Sequence, residues 1–385
     1  MHPRSRHREY LDYWDLAARQ PSLEPFVYTN AYGGTSIDYT DQDALKELSR
    51  CLLREFYGLK YWSIPDGYLC PPIPQRADYI HGMADLLTLA GCSESSAEAD
   101  SSSTQVLREG IIGLDVGTGA NCVYCLIGAR EYGWRMIGSD IDSLALENAK
   151  TIVERNGLTQ QIELRHQHDS EKIFAGILHP DEVVAFCVCN PPFHESLEHA
   201  RRAAVGKWQR LGRGKRDAKN YQGVETELCC EGGEVKFITR MAEESADPCR
   251  RNKCLWFSAM LSRESSFWPI WEKLAELGAR RRSFELHQGK ISKWVVVWTF
   301  MGPRKRQAAL QVMLDRRPAK TAVNQDTISD GSMDHAHGVL GQQRLRKRTS
   351  ESAVNARDET IAEETLLRDG AVCKSDDGQS KRMKK

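Results

Sequence analysis

Net charge is the first thing this chain lacks. Its 53 Lys and Arg are balanced by 53 Asp and Glu. No overall basic field draws it to nucleic acid, so any such binding must come from local patches. Long apolar runs are missing too. None approaches the ~18 residues of a membrane span, so no membrane-spanning helix is expected. The first residues, Met1-His2-Pro3-Arg4-Ser5-Arg6-His7-Arg8, lack the apolar segment of a secretory leader. The 12 cysteines show no framework spacing. Several sit in core-like runs, which points to free, buried thiols in a reducing compartment and not to a disulfide scaffold. Cys122 and Cys125 have zinc-like spacing, but no second Cys or His pair fits nearby, and no metal is expected.

What is present is most specific at Asn190-Pro191-Pro192-Phe193. These residues follow the apolar, β-branched run 183–189, which reads as a buried parallel strand. Two prolines fix φ, remove N–H donors and restrict the asparagine before them. The chain must therefore leave the strand as a rigid extended hook at the C-terminal edge of a sheet, where ligands of open α/β sheets bind. An amide, freed carbonyls and an aromatic face together can hold a planar amine.

A second motif lies upstream. Residues 111–116 read as a strand, Gly117-Thr118-Gly119-Ala120 as a tight turn, and a helical pattern follows. Strand, glycine turn and helix form a nucleotide-binding unit, where backbone approaches ligand closely. A dinucleotide fingerprint wants a third glycine at 122, where this chain has Cys. A cofactor without a pyrophosphate, S-adenosylmethionine (SAM), fits the turn better. Asp140 ends the next strand, about twenty residues after the turn, where an acid can accept bonds from ribose hydroxyls. It could also cap the helix that begins near Ser143, alone or together with that role.

Asp115-Val116-Gly117-Thr118-Gly119, Asp140 and Asn190-Pro191-Pro192-Phe193, in this order, resemble the motifs of class I SAM-dependent N6-adenine methyltransferases. Stretches 162–170, 227–238 and 287–290 with Trp294 and Trp298 narrow the resemblance. Together they are similar to the family joining bacterial 23S ribosomal RNA adenine-N6 methyltransferases to the eukaryotic methyltransferase-like-protein-16 enzymes, over residues 1–302 or so. The resemblance implies an α/β fold of the class I, Rossmann-like type. Its seven-stranded mixed sheet would run in the order 3-2-1-4-5-7-6, the last two strands forming a hairpin. It implies SAM as cofactor, held by Asp115, Gly117, Gly119, Asp140, Ser170 and Asn190, with Arg76 meeting the methionine carboxylate. His166 and His168 would flank the cofactor adenine.

Three regions are expected: 1–107, a basic arm, a helical RNA-binding module and a flexible insert; 108–302, the methyltransferase domain; and 303–385, a disordered basic tail. After the hook come Lys207, Arg210, Arg213, Lys215 and Arg216, spaced by glycines and Trp208. Such a loop suits a phosphate backbone. Arg4, Arg6 and Arg8 of the arm, and Lys290 and Lys293 at the hairpin, are further RNA-binding candidates. Glu231 and Glu234, at a helix start, read as capping or packing groups.

The expected chemistry is methyl transfer to an extruded, unpaired adenine. Asn190 and the Pro191 carbonyl would accept its N6 hydrogens, and Phe193 would stack on the base. The basic clusters 344–348 and 381–385 read as a nuclear address or as added RNA affinity; a nuclear address favours U6 small nuclear RNA as substrate. Ribosomal RNA is the alternative, and a protein glutamine or DNA stands behind both. The partners expected are RNA only, with neither membrane nor metal.

Overall fold

A computed structural model describes residues 1–88, 110–194, 225–288 and 291–315. The insert 93–104, the basic loop carrying Lys207, Arg210, Arg213, Lys215 and Arg216, the turn residue Lys290, and the tail from 316 onward lie outside the described residues.

The chain opens with α1 (Tyr13–Arg19), a short hairpin of β1 (Val27–Thr29) and β2 (Thr35–Ile37), then α2 (Gln42–Tyr57) and α3 (Ile73–Leu86). Asp12 and Asp41 cap α1 and α2 by accepting backbone N–H groups of the first turn, as short acidic side chains do. The core follows as β3 (Ile112–Val116), α4 (Val123–Tyr132), β4 (Arg135–Asp140), α5 (Ser143–Arg155), β5 (Ile162–His166) and β6 (Val184–Cys189). Beyond the hook come α6 (Glu225–Leu228), α7 (Gly233–Ala246), β7 (Cys254–Leu261), α8 (Phe267–Glu276), β8 (Arg280–Gln288), β9 (Ile291–Thr299) and α9 (Pro303–Asp315).

The large sheet has seven strands in the order β5-β4-β3-β6-β7-β9-β8. β3 to β7 pair in parallel, while β9 is antiparallel to both β7 and β8. Counted within this sheet, that is the expected 3-2-1-4-5-7-6. Its central strands are buried on both faces: every residue of β6 and β7 is inaccessible. This explains why they read as continuous apolar runs and not as alternating ones. One core layer joins β-strand faces to α3 and α4 through Phe186, Met260, Val295 and Val297. The other packs Val184, Phe257, Val296 and Trp298 under α7 and α8.

One expectation is corrected. The tail does not start at 303. α9 docks back on the core: a Cβ on Gly110 would lie 2.8 Å from the Met313 carbonyl, and buried Arg306 places its guanidinium 4.3 Å from the Trp256 ring centroid. The cations of the N-terminal arm, expected at RNA phosphates, have acidic partners of their own. Arg4 pairs with Asp85 at 2.6 Å and donates to the Tyr132 hydroxyl and the His81 carbonyl. Arg6 pairs with Glu131 at 2.6 Å. Acidic partners on α3 and α4 take these cations; Arg8 alone of the three stays exposed without such a pairing among the contacts seen.

Candidate active site

A cleft of about 820 Å³, open to solvent, lies at the C-terminal ends of β3, β4 and β6. This is the sheet edge at which the strand order reverses, the site of ligand binding in open α/β folds. Its walls include Gly117, Gly119, Asp140, Ser170 and Asn190, Pro191 and Pro192. Both sequence motifs therefore face one space.

The first wall is built from backbone. Gly117 and Gly119 adopt φ of +73° and +61°, conformations that favour glycine. The Gly117 and Thr118 N–H groups both donate to the Ser139 carbonyl at 2.9 Å, tying the turn to β4. The Gly119 N–H donates to Asp140 Oδ2 at 2.8 Å, and the Asp142 N–H to Asp140 Oδ1 at 3.0 Å. Asp142, not Asp140, caps α5 through the Leu144 and Ala145 N–H groups. Asp140 is therefore left to the cleft. Burial raises its pKa against the opposing backbone donors, and each oxygen keeps a lone pair for a further donor. Cys122, where a dinucleotide fold has glycine, is the one non-glycine residue at positive φ among the described residues, at +53°.

Asp115 corrects its expected role. It is fully buried under the turn and does not line the cleft. Its Oδ2 accepts from the Thr118 hydroxyl at 2.8 Å, while Oδ1 has no partner. Desolvation pushes its pKa up to about 7. It acts as a brace behind the glycine turn.

The second wall is the hook. The Phe193 and His194 N–H groups donate to the Leu228 carbonyl at 3.1 and 2.9 Å, and the Cys230 N–H to the His194 carbonyl at 3.0 Å. The hook is thus zipped to the segment entering α7. From α3, buried Arg76 donates through Nη1 to Asn190 Oδ1 at 3.1 Å and to the Tyr124 hydroxyl at 2.9 Å. The Tyr79 hydroxyl accepts from the Cys189 N–H at 3.4 Å. Arg76 was expected at the methionine carboxylate; instead it lies outside the cleft lining and fixes which end of the Asn190 amide is oxygen. Lys293, expected at a phosphate, donates to the Ser262 carbonyl at 3.2 Å and sits 5.4 Å from the Phe193 ring centroid.

Other wall residues were not foreseen: Leu69, Asn121, Ile141, Gln167, Lys172, Ile173, Glu227 and Phe237. Glu227 accepts from the Leu69 N–H at 2.9 Å, joining the N-terminal module to the rim. Its place at the return of the loop, opening the 227–238 stretch, was the available signal. His166 and His168 stack edge-on at 4.3 Å and lie outside the lining, so Gln167 and Ser170 face the cleft in their stead. Glu231 pairs with Lys236, and buried Glu234 accepts from the Ser262 N–H, both structural roles. Among the described residues no cluster of three or more His, Cys, Asp or Glu could hold a metal, and no helix is long and apolar enough to cross a membrane.

The sheet order, the glycine turn and the hook together define a class I SAM-dependent methyltransferase. A family model described as RNA methyltransferase matches residues 1–302, and the chain belongs to that family. It is similar to the ribosomal RNA large subunit methyltransferase F of Pectobacterium carotovorum, with 44% identity over 313 residues, covering 81% of this chain and 96% of that protein. The protein of the same name from Stutzerimonas stutzeri is 43% identical, covering 80% and 92%. Among solved structures, the hMettl16 catalytic domain in complex with the MAT2A 3′UTR hairpin 1 matches with a TM-score of 0.65 and 30% identity, covering 78% of this chain and 96% of that one. The N-terminal domain of human METTL16 in complex with SAH matches with a TM-score of 0.60 and 29% identity, over 78% and 99%.

The cleft fits SAM. A Cβ on Gly119 would come within 3.1 Å of Glu227 Oε1 and 3.2 Å of Asn121 Nδ2, filling the cradle. With SAM bound, Asp140 would offer its carboxylate to the ribose hydroxyls, Ile141, Ile173 and Phe237 of the lining would supply apolar surface, and Glu227 would add a second carboxylate.

Proposed function

We propose that this chain is an adenine-N6 methyltransferase of large-subunit ribosomal RNA. The observation that carries the reading is the hook: Asn190, Pro191 and Pro192 face the same cleft as the glycine turn, with Phe193 beside them. SAM, when bound, supplies an electrophilic methyl group. The rest falls to the protein. The Asn190 amide oxygen has two lone pairs; Arg76 takes one, and the other accepts an N6 hydrogen. The Pro191 carbonyl accepts the second hydrogen, so that the nitrogen lone pair faces the cleft. Phe193 stacks on the base, which must leave its own stack to enter. Most of the rate gain would be positioning.

Ribosomal RNA is favoured over U6 small nuclear RNA by the relatives: proteins named for ribosomal RNA share 44% identity, against 30% for the hMettl16 catalytic domain. The basic loop enters after His194 and returns at α6, with both ends held at the cleft rim, which supports its proposed grip on RNA. Reversing the charges of Arg213, Lys215 and Arg216 together would then weaken RNA binding and flatten its salt dependence. A nuclear address is proposed on the two basic tail clusters alone; a fluorescent fusion with and without 316–385 tests it. The test of function is tritium transfer from labelled SAM to unmodified, transcribed large-subunit ribosomal RNA, U6 RNA, DNA and protein side by side. Label in ribosomal RNA, recovered as N6-methyladenosine, supports the reading; label confined to another pool overturns it.

A further inference from the structure

The hook supplies an aromatic ring but does not itself hold that ring still. Phe193 is only half-buried, and a phenyl ring on a partly open edge is not fixed by packing alone. The geometry points to Lys293 as the positioning residue for Phe193, clamping its ring for stacking on the target base. This rests on the reading of the cleft as a nucleobase methyltransferase site.

A lysine that serves RNA phosphates offers its ammonium to solvent. Lys293 does otherwise. Its Nζ lies 5.4 Å from the Phe193 ring centroid, within the range of a cation–π contact. It also donates to the Ser262 carbonyl at 3.2 Å. Ser262 is itself pinned: its N–H donates to the carboxylate of buried Glu234, in the first turn of α7. Trp294, the next residue on β9, is paired in register with Leu261 at the end of β7. The lysine stem therefore rises from a fixed strand, and its head is anchored to a fixed carbonyl. A cation over one face of a ring leaves the other face for a planar partner. The ring is then presented before RNA arrives, and the base meets a preset platform.

The experiment uses the full chain and transcribed large-subunit ribosomal RNA. Lys293→Met keeps the unbranched stem and removes the charge. It should slow single-turnover transfer at saturating RNA and SAM by roughly tenfold, the scale of a partly desolvated cation–π contact. RNA affinity and its salt slope should stay as in the parent. Lys293→Arg should recover most of the rate, since a guanidinium both stacks on rings and donates to carbonyls. In a Phe193→Leu background, Lys293→Met should add little further loss. Unchanged saturated rate with a salt slope shallower by about one unit would make Lys293 a phosphate contact and overturn the proposal. Full additivity of the two substitutions would overturn it as well. So would an equal fall in SAM affinity or melting temperature in both Lys293 variants, which marks a general role in the fold. If the parent labels DNA or protein and not RNA, the RNA reading falls, while the 193–293 coupling measured on the labelled pool still decides the lysine. A readout free of turnover comes from para-fluorophenylalanine at 193. Its fluorine resonance should shift and broaden in Lys293→Met; identical spectra would sink the clamp.

Discussion

The two walls of the cleft are built by different means. The cofactor wall is local. Its turn bonds to the Ser139 carbonyl and to Asp140 on the neighbouring strand, so one β-α-β unit, 112–140, makes it. The hook wall is assembled from afar. Its motif spans four residues, but Asn190 is oriented by Arg76 on α3, Cys189 by Tyr79, and Phe193 by Lys293 on β9. Bonds within one unit, from backbone and from the Asp140 and Asp115 carboxylates, shape the first; cations from separate elements, buried Arg76 and half-buried Lys293, aim the second. The lesson is that a short motif can carry the chemistry while its orientation belongs to the whole fold. Damage to the hook's supports should therefore appear in turnover, and damage to the glycine turn in cofactor affinity.

The sharpest break in that comparison is Asn190→Ala. It removes the acceptor for the target amine and no backbone constraint, since the two prolines remain. Single-turnover transfer should fall by about a hundredfold or more, the scale of losing one preorganised polar contact to the reacting group. Calorimetric SAM affinity should hold. Loss of SAM binding with an intact saturated rate would place Asn190 on the cofactor wall instead.

Arg76→Met comes next and sharpens the distinction, because it acts through Asn190. The charge-assisted bond is worth about 1.5–3 kcal/mol, so roughly a ten- to hundredfold fall in rate is expected. The amide is then free to flip its nitrogen toward the base. If SAM affinity drops while the saturated rate survives, the methionine-carboxylate role implied by resemblance is the correct one, and the hook has no brace from α3.

Asp140→Asn tests the local wall. It should weaken SAM by about 1.5–3 kcal/mol for each ribose bond lost, through one less charged acceptor, and also loosen the Gly119 N–H. Turnover at saturating SAM should change little. Undiminished calorimetric affinity would reduce Asp140 to a backbone brace.

The difference between the walls also explains what was legible in the sequence. The strands expected at 111–116 and 183–189 are seen within a residue of those ends, and the sheet order is the expected one. Buried parallel strands write themselves as apolar runs, and glycine turns as fixed letters. The glycine turn, Asp140 and Asn190 to Pro192 of the hook, singled out by those letters, line one cleft. The partners of Arg4, Arg6, Arg76 and Lys293 were not legible: Asp85, Glu131, Asn190 and Phe193 are far away in sequence, and a cation shows nothing of its partner on paper. α9 was hidden likewise: its buried residues are Arg306, Leu310 and Met313, with Ala309 and Leu314 packed beside them, and Arg306, over the Trp256 ring, looks polar on paper. The β1–β2 hairpin, with three residues in each strand, is too short for alternation to show.

The smallest effect lies behind the cofactor wall, at Asp115. Its carboxyl titrates at about 7 in the folded chain, raised chiefly by burial and helped down by the Thr118 hydroxyl; unfolded, it would titrate near the ordinary value of about 3.9. Between those values the unfolded chain has released the proton and the folded chain still holds it. Stability from this group therefore falls as pH rises from about 4 to about 7, and the loss is complete above that. Asp115→Asn removes the titration while its amide oxygen can keep the Thr118 bond. The variant should match the parent at pH near 4, gain on it through the window, and hold a constant lead at higher pH, on the order of 2 kcal/mol after relaxation of the site. Denaturant titrations at a series of pH values measure this directly. SAM affinity should be unchanged, because Asp115 does not reach the cleft. A stability difference that does not vary with pH would mean that the carboxyl is ionised throughout, and a large loss of SAM affinity would return Asp115 to the cofactor contacts that its motif suggested.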